Sequence, residues 1–584
     1  MNSFWKMFLG AFLALVIFSL IGIFLFVSAL GSLTKKQIPH IDQQSVLVLD
    51  LSQHFEEQVQ ENPLADLAGS DEGDVPGLYD VVRLLERAGS DKNIAGIYVI
   101  ANSNPNGFAS SDEIRNALLT FKSSGKFIIA QGDFITQKAY YVANVADKLY
   151  AGPQGFVDWN GFGVDLAFVK GTLDKLGIKP QVFYAGKFKS ATEPFRTDHM
   201  TPENKLQTAD WLGDLYSDFL LKASETRHID TATLHDLANE GLIQTAEDAA
   251  DHKLVDGLKY DDQIKDEIKD RLNLGKFDKI SFVTINKYAK TGLHKTGSGE
   301  RIALIYAQGD IVDGKGGEKQ IGSSEYIKLL RRARLDESIK AIVFRVNSGG
   351  GSALASEKIW RELSLAKKEK PVVVSFGDVA ASGGYYISCA ADSIFASPVT
   401  ITGSIGVFSI VPDMQDFFND KLGVTFDGVK TAPYANTATV IRPLTETERR
   451  MMQASVERIY AQFKERVAEG RKKDTAYINE IGQGRVWSGA DGLRNGLVDR
   501  MGGLGDAVAC AARMAKLEQY RLREYPEPEN IFDRIFGATK PLTYTEKMKQ
   551  ELGEENFRIY QQMKKVQEMC SDVQTRMPFE FFIR

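Results

Sequence analysis

None of the seven histidines lies beyond His294, so the second half of the chain has no imidazole to act as a base or to ligate a metal. Cysteine is as scarce. Cys389, Cys510 and Cys570 are an odd, widely spaced set, which excludes a disulfide framework and a paired-cysteine metal knuckle. Neither sign of charge is in strong excess. With 71 basic and 77 acidic residues the net charge is −6, and the electrostatic case for a nucleic-acid partner is absent. The 43% hydrophobic content excludes a mostly disordered chain. At about 150 residues per domain, the length allows three or four domains.

What is present begins with one long apolar run. Met7–Leu33 is 27 residues without a charge. As a helix it spans about 40 Å, enough to cross a hydrocarbon core of about 30 Å with tilt. A cleaved secretory signal has an apolar stretch of only about 7–15 residues, so an uncleaved anchor is expected. No second such run follows, which places the rest of the chain on one side of a membrane.

The chain repeats itself. Gly132–Asp147 aligns without gaps on Gly377–Asp392, and the offset of 245 holds at Pro153 and Pro398 and at Gly161 and Gly406. Upstream, Asp91–Gly107 matches the segment from Asp336; downstream, the segment from Thr245 matches that from Ser488. Four blocks in the same order define a duplicated unit, near 77–258 and 323–501. The apolar runs Ile94–Ile100, Ala341–Val346, Phe127–Ala130 and Pro371–Ser375 read as buried parallel strands. Amphipathic stretches such as Ser356–Lys368 separate them, so each unit is expected to be α/β. Long helices are expected over Thr201–Ala223 and Thr445–Glu469; Thr445 and Glu448 have the spacing of a capping box. The organisation expected is an anchor and juxtamembrane segment over 1–40, a first repeat over 41–260 and a linker over 261–300. A second repeat over 301–518 and a tail over 519–584 complete it.

A duplication lets one half serve as a control for the other. Three glycine-rich elements occur only in the second: Asn347–Ser352, Ala381–Gly384 and Thr402–Gly406. Glycines at strand-to-helix turns admit close approach of a ligand and present free N–H groups. Two such loops could hold an oxyanion. Ser382 sits in one of them, where the first half has Gln137, and a serine on such a turn exposes its hydroxyl as a nucleophile. Tight glycine turns are common by themselves; the loss of all three in the partner half points to function. Ser382 needs a base, and with no histidine near, a lysine is the next candidate. Its pKa must fall from about 10.4 by roughly 3 units, about 4 kcal/mol, which burial achieves. Lys187 and Lys189 in the first half are candidates, sharing one face if the segment is a strand. Lys430 in the second is a rival.

Together these residues resemble the signal peptide peptidase A family in its double-length form, over about residues 1–515. Ser382-Gly383-Gly384-Tyr385 matches the family's nucleophile motif. Gly186, Lys189, Ser190, Glu193, Pro194 and Phe195 match its lysine motif, and Thr402–Gly406 its T-G-S-I-G. Gly349 replaces the proline of its S-P-G-G-S motif. The resemblance implies Ser382 as nucleophile, Lys189 as general base and Ser404 as hydrogen-bond partner of the lysine amine. It points to the N–H groups of Gly383 and Gly351 as the oxyanion site. It implies two tandem α/β units related to the Clp protease and crotonase folds, an N-terminal transmembrane helix, and a serine endopeptidase that needs no metal or cofactor. The implied substrates are hydrophobic peptides, notably cleaved signal peptides. A homotetramer at the cell (inner) membrane is implied, single-pass, with its catalytic part on the outer or periplasmic side. Two rival readings are a crotonase-like acyl-CoA enzyme and an inactive scaffold that binds membrane peptides.

Overall fold

The computed structural model describes residues 38–60, 73–527 apart from 296, 318 and 438, and 573–577, with scattered residues between 5 and 21. Part of the expected anchor, residues 22–33, lies outside the described residues. Residues 10–19 are helical and exposed, and among the described residues no helix is long and apolar enough to cross a membrane.

Each half builds one large sheet. Across the first, the strands run Gly257–Leu258, Lys148–Val157, Phe127–Ile135, Ile94–Ile100, Ser45–Asp50 and Phe282–Thr284, all parallel. Across the second they run Val486–Ser488, Ile401–Gly403, Val372–Ala381, Ile339–Ser348, Glu300–Gln308 and Tyr520–Tyr525. Ser393–Ala396 and Arg500–Met501 branch from Val372–Ala381, and only Val486–Ser488 is antiparallel. Central strands such as Ile94–Ile100 and Ile339–Ser348 are apolar because both faces are covered; Ile97, Val99, Ile342, Val343 and Phe344 are fully buried.

The duplication is visible atom by atom. Tyr140 Oη donates to the Leu254 carbonyl at 2.9 Å, and Tyr385 Oη to the Leu497 carbonyl at 2.9 Å. Lys126 Nζ ties the Ala88 and Asp91 carbonyls, as Lys370 Nζ ties those of Ala333 and Asp336. The long helices form at Pro202–Arg227 and Glu446–Arg471, and Thr445 closes a reciprocal capping box with Glu448.

Two segments differ from expectation. The 261–300 stretch is more than a linker. It holds the helix Asp261–Leu272, whose Ile264 and Ile268 are buried, and the edge strand Phe282–Thr284. The tail likewise begins with an ordered edge strand, Tyr520–Tyr525, beside Glu300–Gln308. Edge strands of this kind have weak periodic signals, since three to six residues cannot establish a pattern.

The halves interlock. Lys179–Ala185 of the first pairs antiparallel with Val407–Asp413 of the second in a third sheet, of six strands. Across the seam, fully buried Arg345 donates from Nε to Glu57 at 2.9 Å and from Nη2 to Glu113 at 2.6 Å. Its Nη1 reaches Ser375 Oγ and the Phe376 carbonyl. Both carboxylates come from the first half.

Candidate active site

Ser382 stands where the strand Val372–Ala381 ends and the short helix Gly383–Tyr386 begins. Its φ of 54° and ψ of −114° are unusual for a residue with a side chain, a strain of about 1–3 kcal/mol that the surroundings must hold. They do so through both backbone groups. Ser382 N–H donates to the Gly403 carbonyl at 2.8 Å, and its carbonyl accepts from Tyr386 N–H at 2.8 Å. The turn therefore aims Oγ away from the strand.

Lys189 arrives from the first half. Its strand ends at Ala185, and Gly186 turns the chain with φ +106°; a Cβ there would lie 2.5 Å from the Gln483 carbonyl. The strand reading of Lys187 and Lys189 fails for this reason, and the two side chains part. Lys187 is exposed, with Nζ 5.1 Å from the Phe188 ring centre, whereas Lys189 is 1% exposed. Lys189 Nζ lies 2.9 Å from Ser382 Oγ, 3.1 Å from Ser404 Oγ and 3.2 Å from the Ser404 carbonyl. Its aliphatic stem is packed by two glycines. A Cβ on Gly484 would sit 2.7 Å from Lys189 Cβ, and one on Gly406 would sit 3.1 Å from its Cδ. Burial pushes the amine well below the ordinary lysine range, and none of the groups bonded to Nζ is a carboxylate. Lys430, the rival base, is exposed outside any helix or strand.

The two glycine loops converge beside this pair. A Cβ on Gly350, at φ +101°, would lie 2.6 Å from Gly383 N. Gly350 N–H is used by Ser348 Oγ at 3.1 Å, which leaves Gly351 as the loop's candidate donor.

Sequence reasoning missed Gln207. It is buried on the helix Pro202–Arg227, and its Nε2 donates to the Phe188 carbonyl at 3.2 Å and to Ser190 Oγ at 2.8 Å. Its Oε1 accepts from Val486 N–H of the second half at 3.1 Å. One amide thus clamps the lysine loop to the opposite half. Only a polar residue on a buried helical face could have signalled it. Glu193 of the lysine motif faces away, accepting from Thr201 Oγ1 and Asn204 Nδ2 at the start of that helix.

In the first half the aligned positions are held differently. Gln137, in the place of Ser382, is filled by its own hydrogen bonds to Asn160 and Gly161. Lys138, in the place of Gly383, donates to the Asn106 carbonyl. A cavity of about 340 Å³ lies over both residues.

The profile of Peptidase family S49 matches residues 120–275 and 364–518. The chain belongs to this family. One match contains Lys189, the other Ser382 and Ser404, so the S49 unit occurs twice and the pair spans the copies. The chain is similar to Protease 4 of Salmonella typhi, 38% identical over 81% of this chain and 77% of that protein. It is 35% identical to Protease 4 of Haemophilus influenzae, over 76% and 73% of the two chains. It is 34% identical to the chloroplastic serine protease SPPA of Arabidopsis thaliana, over 74% and 64%. Solved ClpP1 from Listeria monocytogenes superposes with a TM-score of 0.24 at 16% identity, over 35% of this chain and 94% of that one, too low to bear on the fold. The family and these relatives make this S49 protein a serine-type peptidase with an α/β fold of two tandem units.

Proposed function

We propose that this S49 peptidase is a membrane-anchored endopeptidase working through a Ser382/Lys189 dyad. The observation that carries the reading is the 2.9 Å contact between Ser382 Oγ and a fully buried lysine amine with no carboxylate partner among the described residues. The three contacts of Lys189 Nζ suit a neutral amine, which has two N–H donors and one lone pair. The N–H groups donate to the Ser404 carbonyl and Oγ, and the lone pair accepts the Ser382 hydroxyl proton. As Ser382 attacks the scissile carbonyl, that proton passes to Lys189. The developing oxyanion is held by Gly383 N–H and Gly351 N–H. The Lys189 ammonium then protonates the leaving amine, and water hydrolyses the acyl-enzyme. A lysine base explains how a serine site functions in a half-chain without histidine.

The substrates we propose are hydrophobic peptides, notably cleaved signal peptides, met at the cell membrane by a homotetramer whose catalytic part faces outward. The motif resemblance and the uncharged Met7–Leu33 run support this. The nucleophile and base geometry disfavours the acyl-CoA reading, which needs no serine, and the inactive scaffold, which needs neither. The test is hydrolysis of a fluorogenic hydrophobic peptide. Ser382→Ala and Lys189→Ala each abolish it while the fold persists. Activity surviving Ser382→Ala, or activity in Lys189→Ala with loss in Lys430→Ala, contradicts the dyad.

A further inference from the structure

The cavity over Gln137 and Lys138 occupies, in the first half, the place that the Ser382 site has in the second. At the offset of 245 its lining residues Pro105, Gln137 and Lys138 align with Gly350, Ser382 and Gly383. Asn106, whose carbonyl accepts from Lys138 Nζ at 3.1 Å, aligns with Gly351. A lysine ammonium therefore lies beside the backbone whose counterpart is proposed to hold an oxyanion. Backbone N–H groups suit a charge that forms only during reaction. A full cation suits a permanent anion such as a carboxylate.

The rest of the lining narrows the ligand. The amides are already engaged: Gln137 with Asn160 and Gly161, Asn104 with Asn106, Ser111 and the Lys138 carbonyl. The two charged groups are less so. Lys138 Nζ donates to the Asn106 carbonyl, and Asp158 accepts from Asn160 Nδ2 at 2.6 Å. Asp378, whose charge acts on Lys138, is taken by Ser110 N–H at 3.0 Å and Ser110 Oγ at 2.6 Å. Burial lowers the Lys138 amine and raises the Asp158 carboxyl from their ordinary values, as for recessed charges that lack a close counter-charge. Phe108 and Phe162, with ring centres 5.2 Å apart, supply apolar wall. At about 340 Å³ the cavity stands at the lower end of ligand pockets, about 300–1,000 Å³, and suits one small molecule.

We infer that this cavity binds short apolar peptides with both ends free, the carboxylate on Lys138, the ammonium on Asp158 and a side chain against Phe108 and Phe162. Asp158 disfavours a simple anion there, and Lys138 a simple cation, so a ligand carrying both charges is selected. Peptide hydrolysis releases molecules of this kind. The choice of ligand therefore rests on the peptidase reading, whereas the site rests on the cavity and its two charges.

Two measurements test this. The first titrates leucyl-leucine into full-length Ser382→Ala protein by isothermal calorimetry, beside leucyl-leucine amide and N-acetyl-leucyl-leucine. Saturable binding of the free dipeptide is expected. Blocking either end is expected to weaken it about tenfold or more, the worth of a hydrogen bond to a charged group. No binding, or equal binding of the blocked forms, overturns the inference. The second repeats the titrations with Lys138→Met added. The free dipeptide is expected to bind about tenfold more weakly, and the amide no more weakly than before. Unchanged binding of the free dipeptide overturns the assignment to this cavity. Hydrolysis of the fluorogenic peptide by the wild-type chain is followed alongside. Dipeptide binding that needs Lys138, in a chain that hydrolyses nothing, refutes the peptidase reading and leaves the cavity assignment standing. Hydrolysis without dipeptide binding refutes the cavity assignment alone.

Discussion

Arg345→Met tests the seam that brings nucleophile and base together. Arg345 is fully buried and shared by Glu57 at 2.9 Å and Glu113 at 2.6 Å, so its removal strands two carboxylates in one apolar site. Breaking one buried pair costs about 3–5 kcal/mol. Here one cation serves two anions, which sets the loss at the upper end, a large share of a total stability of about 5–15 kcal/mol. The assay is urea unfolding followed by tryptophan fluorescence, with peptide hydrolysis measured alongside. The pH dependence gives an independent check. Burial already holds the Glu113 carboxyl above its usual range, and Arg345 opposes that rise. Without Arg345 the folded-state pKa climbs further above the unfolded value, a penalty absent at low pH that grows as pH rises. The variant's deficit is therefore larger at pH 8 than at pH 5. Adding Glu57→Gln and Glu113→Gln restores much of the loss, because the amides still accept from Asn347 Nδ2 and Leu504 N–H. A deficit below about 1 kcal/mol, or one that grows as pH falls, refutes the reasoning.

The remaining predictions concern the site. Lys189→Met abolishes hydrolysis yet stabilises the protein at pH 7. The buried amine resists a proton that the unfolded chain takes up below about 10.4, so the gain closes as pH rises past that value; thermal melts at pH 7 and pH 10.5 measure it. In the wild-type chain, kcat/KM rises with pH as Lys189 loses its proton, with a midpoint below the ordinary lysine range because of burial. Gln207→Ala frees the lysine loop from Val486, and at about 1 kcal/mol per lost hydrogen bond it lowers kcat roughly tenfold or more. The same variant shifts the pH profile, which a purely structural defect does not.

Much of the architecture was legible from the duplication. Tyr140 and Tyr385, or Lys126 and Lys370, make the same bonds in each copy, so aligned residues meant aligned structure. The contrast between Gln137 and Ser382 was legible in the sequence and singled out the second half as the candidate for the nucleophile. Local periodicity failed at Lys187 and Lys189, because the strand stops at Gly186 and the backbone turns. It failed again in the tail, where Gln574–Arg576 is a strand only through its neighbours on either side. Gln207 was invisible for a related reason. The lysine loop and Val486, which it ties together, lie far apart in sequence, and only the folded chain assembles them.

The central claim is that Ser382 is activated by Lys189 across the two halves. The most direct measurement is the mass of the protein after treatment with a fluorophosphonate, with the adduct mapped by peptide sequencing. One adduct on Ser382 in the wild-type chain, formed faster as pH rises and absent from Lys189→Met, is the predicted result. An adduct on another serine, or equal labelling of Ser382 in Lys189→Met, would contradict it.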